Sequence, residues 1–244
     1  MGIVIAVTSG KGGTGKTSIT GGVAAALARM GRTVLCIDMD IGLRNLDIAL
    51  GLNDRALMDF SDVALGRCPL ARAAVDHPTL KGLSLLTAPM SLPPSLTPER
   101  VRALLYTARS QYDYVFIDAP AGLGPGFRLA ICGADRALVV ATNDATSLRD
   151  AQRTVSELDS IRQVHLVMNR IQPKLLRKLR TTIDDAMNAA GLPLMGVVPE
   201  DPQVMLSANL GQPLEVQSRR GAAFACRNIA RRLEGIPTPI MRIR

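Results

Sequence analysis

The sequence predicts an α/β protein built on a doubly wound, mainly parallel sheet with helices on both faces. Short apolar runs rich in Val, Ile and Leu recur along the chain and alternate with stretches of helical periodicity. The runs are continuous rather than alternating, as expected of strands buried on both faces. The first run also leads through a glycine-rich loop directly into a helical pattern.

Ile3 to Val7 is the first strand, and Thr17 to Met30 is the first helix, with Ile19, Val23, Leu27 and Met30 on one face and Gly31 as its stop. Thr33 to Asp38 follows as a second strand, so the first forty residues form a strand-loop-helix-strand unit with a right-handed parallel crossover. Further strands are expected at Leu83 to Thr87, Tyr114 to Asp118, Ala137 to Ala141, Val164 to Asn169 and Leu194 to Val198. Helices are expected around Arg100 to Ser110, Ser147 to Leu158, Leu176 to Ala190 and Ala222 to Leu233. No linker or repeat divides the chain, which reads as one domain over 1–234 with a short C-terminal tail at 235–244.

Hydrophobic residues make up 47% of the 244 and charged residues 20%, which excludes an intrinsically disordered chain. Aromatic residues are 3%, which leaves few rings on which to stack single-stranded bases and weighs against that class of function. The net charge of +8 suits an anionic partner such as nucleotide, DNA or a membrane surface. Cys36, Cys68, Cys132 and Cys226 form no C-x-x-C pair and read as reduced thiols of a cytoplasmic protein. No export leader and no stretch of about 18 apolar residues is expected.

The segment Gly10-Lys11-Gly12-Gly13-Thr14-Gly15-Lys16-Thr17 satisfies G-x-x-x-x-G-K-[ST] between a strand and a helix, which is the context a phosphate loop requires. Its glycines let the backbone curl with N–H groups inward, the helix N-terminus adds partial positive charge, and Lys16 reaches the β- and γ-phosphates. Thr17 is expected to bind Mg²⁺ through its hydroxyl, and Ser18 completes the phosphate-lining run. Lys11 places a second ammonium group beside Lys16, a repulsion that an anion relieves.

Asp38 and Asp40 close the second strand, where ligands of open α/β sheets bind. Asp38 is read as part of the metal shell and Asp40 as the residue that orients the attacking water. Strand-end aspartates also cap helices, which is the competing structural role. Asp118 ends the apolar run Tyr114-Val115-Phe116-Ile117 in the Walker B pattern and is expected to meet Mg²⁺ through water. Pro120 and Gly122 in the following turn are read as a switch that orders around a γ-phosphate. A guanine motif Asn-Lys-x-Asp is absent, and Asn169, Pro199, Glu200 and Asp201 stand at strand ends, where turn residues are common.

Lys11 matches the signature lysine of the deviant Walker A motif, K-G-G-x-G-K-T, and on it the sequence resembles the ParA/MinD group of phosphate-loop ATPases, a SIMIBI-type fold. The resemblance extends through Asp38-Met39-Asp40-Ile41-Gly42-Leu43-Arg44-Asn45-Leu46-Asp47, Ser147-Leu148-Arg149-Asp150 and Gly196-Val197-Val198-Pro199-Glu200-Asp201, to about Leu233. It implies slow, partner-stimulated hydrolysis of ATP with Mg²⁺ and an ATP-bound homodimer in which Lys11 reaches the partner's nucleotide. It also implies adenine contacts from Asn169, Pro199, Glu200 and Asp201, and recruitment of a division inhibitor in septum placement. The members that place the septum end in a membrane-inserting amphipathic helix. Here Pro237 and Pro239 leave five residues after them, so only weak contact of the Ile and Arg residues with the inner face of a membrane is expected.

Two other readings use the same loop. A DNA-directed or flagellar-number ATPase would employ Lys174, Arg177, Lys178, Arg180, Arg219 and Arg220. A small-molecule kinase would need an acceptor pocket that no motif supplies. His77 and His165 read as structural.

Overall fold

The computed structural model describes residues 1–53 and 55–241. Its elements are β1 (Ile3–Thr8), α1 (Lys16–Arg29), β2 (Val34–Asp38), α2 (Leu46–Leu50), α3 (Phe60–Ala64), α4 (Leu70–Ala73), β3 (Val75–Asp76), β4 (Leu83–Leu86), α5 (Pro98–Gln111) and β5 (Tyr114–Asp118). They continue as α6 (Pro125–Ile131), β6 (Arg136–Ala141), α7 (Ala145–Val155), β7 (Gln163–Ile171), α8 (Pro173–Leu179), α9 (Ile183–Ala190), β8 (Leu194–Pro199), α10 (Pro202–Asn209), α11 (Leu214–Gln217) and α12 (Gly221–Leu233). Eight strands form one sheet in the order β3-β4-β2-β5-β1-β6-β7-β8, parallel throughout except for the short antiparallel edge β3.

Each central strand is buried on both faces. In β1, Ile5 and Val7 pack into the layer under α1 and α12, whereas Val4 and Ala6 point into the opposite layers under α5 and α6. This two-sided burial explains why the strands read as continuous apolar runs. Aligned registers set the site: Asp38 lies opposite Asp118 across β2 and β5, and Asp118 opposite Val7 across β5 and β1. The chain moves one way from β1 to β2 and, from β5, crosses β1 the other way to β6, so β1 lies at the topological switch point where such sheets bind ligands.

The seven expected strands and four of the five expected helices stand within a few residues of their predicted positions. The exception is the helix read over 176–190, which is two helices. Arg180 adopts φ 54° and ends α8, and Thr182 and Asp185 form a capping box that restarts the chain as α9. Periodicity alone ran through the break because Leu176, Ile183 and Met187 all lean on one apolar cluster.

The end of the chain is held rather than free up to Met241. The Arg232 guanidinium donates to the carbonyls of Thr238 at 3.0 Å, Pro239 at 2.6 Å and Met195 at 2.8 Å. Of the tail residues read as reaching a bilayer, Arg242, Ile243 and Arg244 lie outside the described residues, and Ile240 is exposed. Among the described residues, no helix is long and apolar enough to cross a membrane.

Candidate functional site

The loop from Gly10 to Thr17 joins β1 to α1 at the carboxyl end of the sheet. Gly13 at φ 78° and Gly15 at φ 91° turn the backbone through the left-handed region, which residues with a Cβ avoid. Gly15 has a second reason to be glycine: a Cβ there would lie 2.3 Å from the Asn169 amide nitrogen. That nitrogen donates to the Thr14 carbonyl at 2.8 Å. Arg170, at φ 57°, donates to the Gly13 carbonyl at 3.4 Å and holds the Glu200 carboxylate at 2.8 and 3.3 Å. The end of β7 thus takes up the Gly13 and Thr14 carbonyls, with Asn169 and Arg170 standing beside the loop on the side that opens to a cleft.

On that side Lys16 is 6% exposed and its ammonium donates to Ser9 Oγ at 3.1 Å. Burial lowers its pKa, against the pull of Asp118 and Asp40. Thr17 donates its hydroxyl to Asp118 at 2.6 Å, and Thr20 donates to the other oxygen at 3.3 Å. Burial pushes the Asp118 carboxyl up to about 7, with Asp38 adding to the rise and the Thr17 hydrogen bond and Lys16 opposing it. Asp38 is likewise raised by burial to about 6, although its oxygens accept the Asp40 N–H at 2.9 Å and the Leu46 N–H at 3.1 Å. The carboxyl of Asp40 is raised by burial and lowered by Lys16. Every charge here is expensive to keep dry, and an incoming anion with a divalent cation would relieve both signs at once.

These residues open onto a cleft of about 740 Å³. Its phosphate-loop wall holds Gly12, Gly13, Gly15, Lys16, Thr17 and Ser18, with Asp40 across from them. The far end is apolar, formed by Val198, Pro199, Val204, Met205, Leu214 and Cys226. Thr14 Oγ1 is buried without a hydrogen-bond partner among the described residues, an acceptor-seeking group inside the loop. Among them, no cluster of three or more His, Cys, Asp or Glu side chains is spaced to hold a metal ion. Thr17 and Asp118 therefore offer a partial shell of the kind that phosphates and water complete around Mg²⁺.

The structure brings Gly12, Gly13, Gly15, Lys16, Thr17, Ser18, Asp40, Asn169, Pro199, Glu200 and Asp201 to this cleft, with Asp38 and Asp118 buried behind it. Asp201 is also a double cap, accepting from Gln203 N and Ala222 N at the starts of α10 and α12. Pro120 and Gly122 do not line the cleft; Ala121 between them does. Gly10 packs against α7, where a Cβ would meet the Asp150 carbonyl at 2.4 Å. Lys11 is half-exposed and bonded to Asp144 at 2.9 Å. Asp144 escaped the sequence reading. It caps α7 through Ser147 N and accepts from Thr142 and Lys11; burial pushes its carboxyl up, and these bonds together bring it below the usual range. Its spacing before Ser147 marks a helix cap, but nothing local announces a lysine 133 residues away. Arg170 was missed for the same reason, whereas Ser9, seven residues before Lys16, stands just ahead of the motif.

A family model described as CobQ/CobB/MinD/ParA nucleotide binding domain matches residues 5–214. The chain belongs to the MinD/ParA family. Among curated MinD/ParA relatives, the septum site-determining protein MinD of Bacillus subtilis is 38% identical over 98% of this chain and 92% of its own. That of Synechocystis is 37% identical over 98% of this chain and 91% of its own. Among solved structures, the MinC:MinD cell division protein complex of Aquifex aeolicus superposes with a TM-score of 0.91 at 35% identity, covering 98% of both chains. MinD of Pyrococcus horikoshii complexed with Mg-ADP gives 0.84 at 26% identity, covering 96% of each.

Proposed function

We propose that this chain is a MinD-type ATPase that binds MgATP in the cleft, dimerises while ATP is bound, recruits a division inhibitor that helps position the septum, and returns to the monomer on hydrolysis. The observation that carries it is the stacking of Lys16, Thr17 and Asp118 at one end of a cleft whose other end is apolar, with Lys11 displayed on the outer side of the same loop. The MinD relatives and the MinC:MinD complex support the cellular role.

In this reading, Lys16 and the loop N–H groups hold the β- and γ-phosphates, and Thr17, with Asp118 and Asp38 behind it, would hold Mg²⁺. Bound Mg²⁺ would neutralise charge on the phosphate oxygens. Asp40, beside Lys16, orients the attacking water, and Ala121 closes the γ-side of the cleft. The apolar pocket around Val198 and Met205 takes the base. Asn169, whose nitrogen is committed to Thr14, keeps its carbonyl for an amino donor, which adenine has and guanine lacks at the corresponding position. Lys11 must leave Asp144 to cross to the second nucleotide.

Lys11→Ala is therefore expected to abolish the ATP-dependent dimer in light scattering, while the monomer retains its thermal midpoint. A full dimer from the variant would refute the cross-dimer role. A second measurement separates loop support from base reading. Arg170→Ala is expected to weaken ATP and GTP by the same factor, about threefold to tenfold, because the lost bonds shape the loop and are partly exposed. Calorimetric titration that shows a changed ATP-to-GTP ratio would make Arg170 a base contact instead. The exposed cations of α8, Lys174, Arg177 and Lys178, leave a DNA-directed role open to test. Steeply salt-dependent, ATP-dependent DNA retention would support it.

A further inference from the structure

A second concavity, of about 730 Å³, lies on the outer side of α12, away from the nucleotide cleft. Its floor contains Ala26 of α1 and Glu215 of α11. Glu215 is buried and already matched, with both oxygens accepting from Arg227 Nη1 at 2.9 and 3.0 Å. Three more arginines of the groove, Arg29, Arg219 and Arg231, make no salt bridge among the described residues. Four guanidinium groups thus face one spent carboxylate.

Their placement is informative. Helices α1 and α12 run in the same direction, and the Arg32–Glu234 ion pair joins their far ends. Arg29 and Arg231 sit together in the last turns, whereas Arg219 precedes the first turn of α12. At about 1.5 Å per helical residue, the two cationic ends stand roughly 18 Å apart. Between them on α12 lies Phe224, 44% exposed, with its ring 5.8 Å from the Arg227 guanidinium carbon; Met30 and Ile236, 39% and 37% exposed, follow Arg29 and Arg231 at the far end.

We propose that this groove binds an acidic amphipathic peptide segment of a protein partner, with carboxylates at both ends and an apolar side chain between them. The arginines pair with the carboxylates, the apolar side chain between them covers Phe224, and Met30 and Ile236 flank the far end. A nucleic acid backbone would use the arginines but leave three apolar side chains unmatched. A flat bilayer would reach the rim but leave the recessed floor at Ala26 and Glu215 unfilled.

The test is fluorescence anisotropy of the full chain with a fluorescein-labelled peptide of about 12 residues, carrying glutamates at both ends and a leucine–phenylalanine centre. Saturable binding is expected, weakened at least about tenfold by Arg219→Glu combined with Arg231→Glu, and at least about threefold by Phe224→Ser. Lys178→Glu, on α8, is expected to leave it intact. Unchanged thermal midpoints identify the variants as folded, and Arg219→Gln with Arg231→Gln serves if the charge reversals unfold. Absence of saturable binding, or binding that folded variants retain, overturns the proposal. Stronger arginine-dependent binding to vesicles of equal phosphatidylglycerol and phosphatidylcholine, or to a short DNA duplex, also overturns it, in favour of lipid or nucleic acid.

Discussion

Lys16→Ala is expected to lower the affinity for MgATP by at least about 100-fold, with hydrolysis lost in parallel. The ammonium group is nearly dry, and its one hydrogen-bond partner among the described residues is Ser9 Oγ. It therefore has donors to spare for phosphate oxygens. Charge-assisted hydrogen bonds contribute about 1.5–3 kcal/mol each, and two of them amount to a factor of about 100 or more. Removing the ammonium also strips Asp118 and Asp40 of their nearest opposing charge, so the emptied site repels the triphosphate. Calorimetry on protein with an unchanged far-ultraviolet spectrum decides the matter, and affinity within threefold of the parent would sink the assignment of Lys16 to the phosphates.

Asp118→Asn should separate stability from activity. The carboxyls of Asp118 and Asp38, raised by burial to about 7 and about 6, hold protons in the folded protein that the unfolded chain has released above about 4. The folded state binds more protons across that window, so the stability of the nucleotide-free protein falls as pH rises from about 4 to 7 and stays low above it. Asparagine keeps an acceptor for Thr17 and removes the buried charge. The variant is expected to melt about 5 °C higher than the parent at pH 8 without nucleotide, with a flatter pH dependence. Its Mg²⁺-dependent hydrolysis should drop by at least about 100-fold. Scanning calorimetry at pH 5 and pH 8 provides the check: an asparagine variant that melts lower than the parent at pH 8 contradicts this electrostatic account.

Much of this was legible in the chain itself, for definite reasons. Continuous apolar runs mark strands buried on both faces, and Asp38 and Asp118 end two such runs, so their meeting at one edge follows from parallel pairing in register. The glycine loop could be read because its chemistry is local. Three kinds of feature were not legible. Helices α2, α6 and α10 are short, and two of them begin at prolines that read as breaks. The break at Arg180 lies inside an unbroken apolar rhythm. Partnerships such as Lys11 with Asp144, or Arg170 with Glu200 and Gly13, join residues far apart in sequence and depend on β1, β6, β7 and β8 lying side by side. Asn169 and Asp201 were read as ligand contacts, and the fold also uses them as braces for the phosphate loop and for two helix starts.

At the amino end of the strands, opposite the cleft, the Tyr114 hydroxyl donates to Glu234 at 2.6 Å, and the same carboxylate receives the Arg32 guanidinium. Terminal helices usually fray from their free end, but this fastening ties the close of α12 to the innermost strands. Solvent deuterium should therefore enter its last turn on the slow timescale of the sheet rather than the fast one of a loose end.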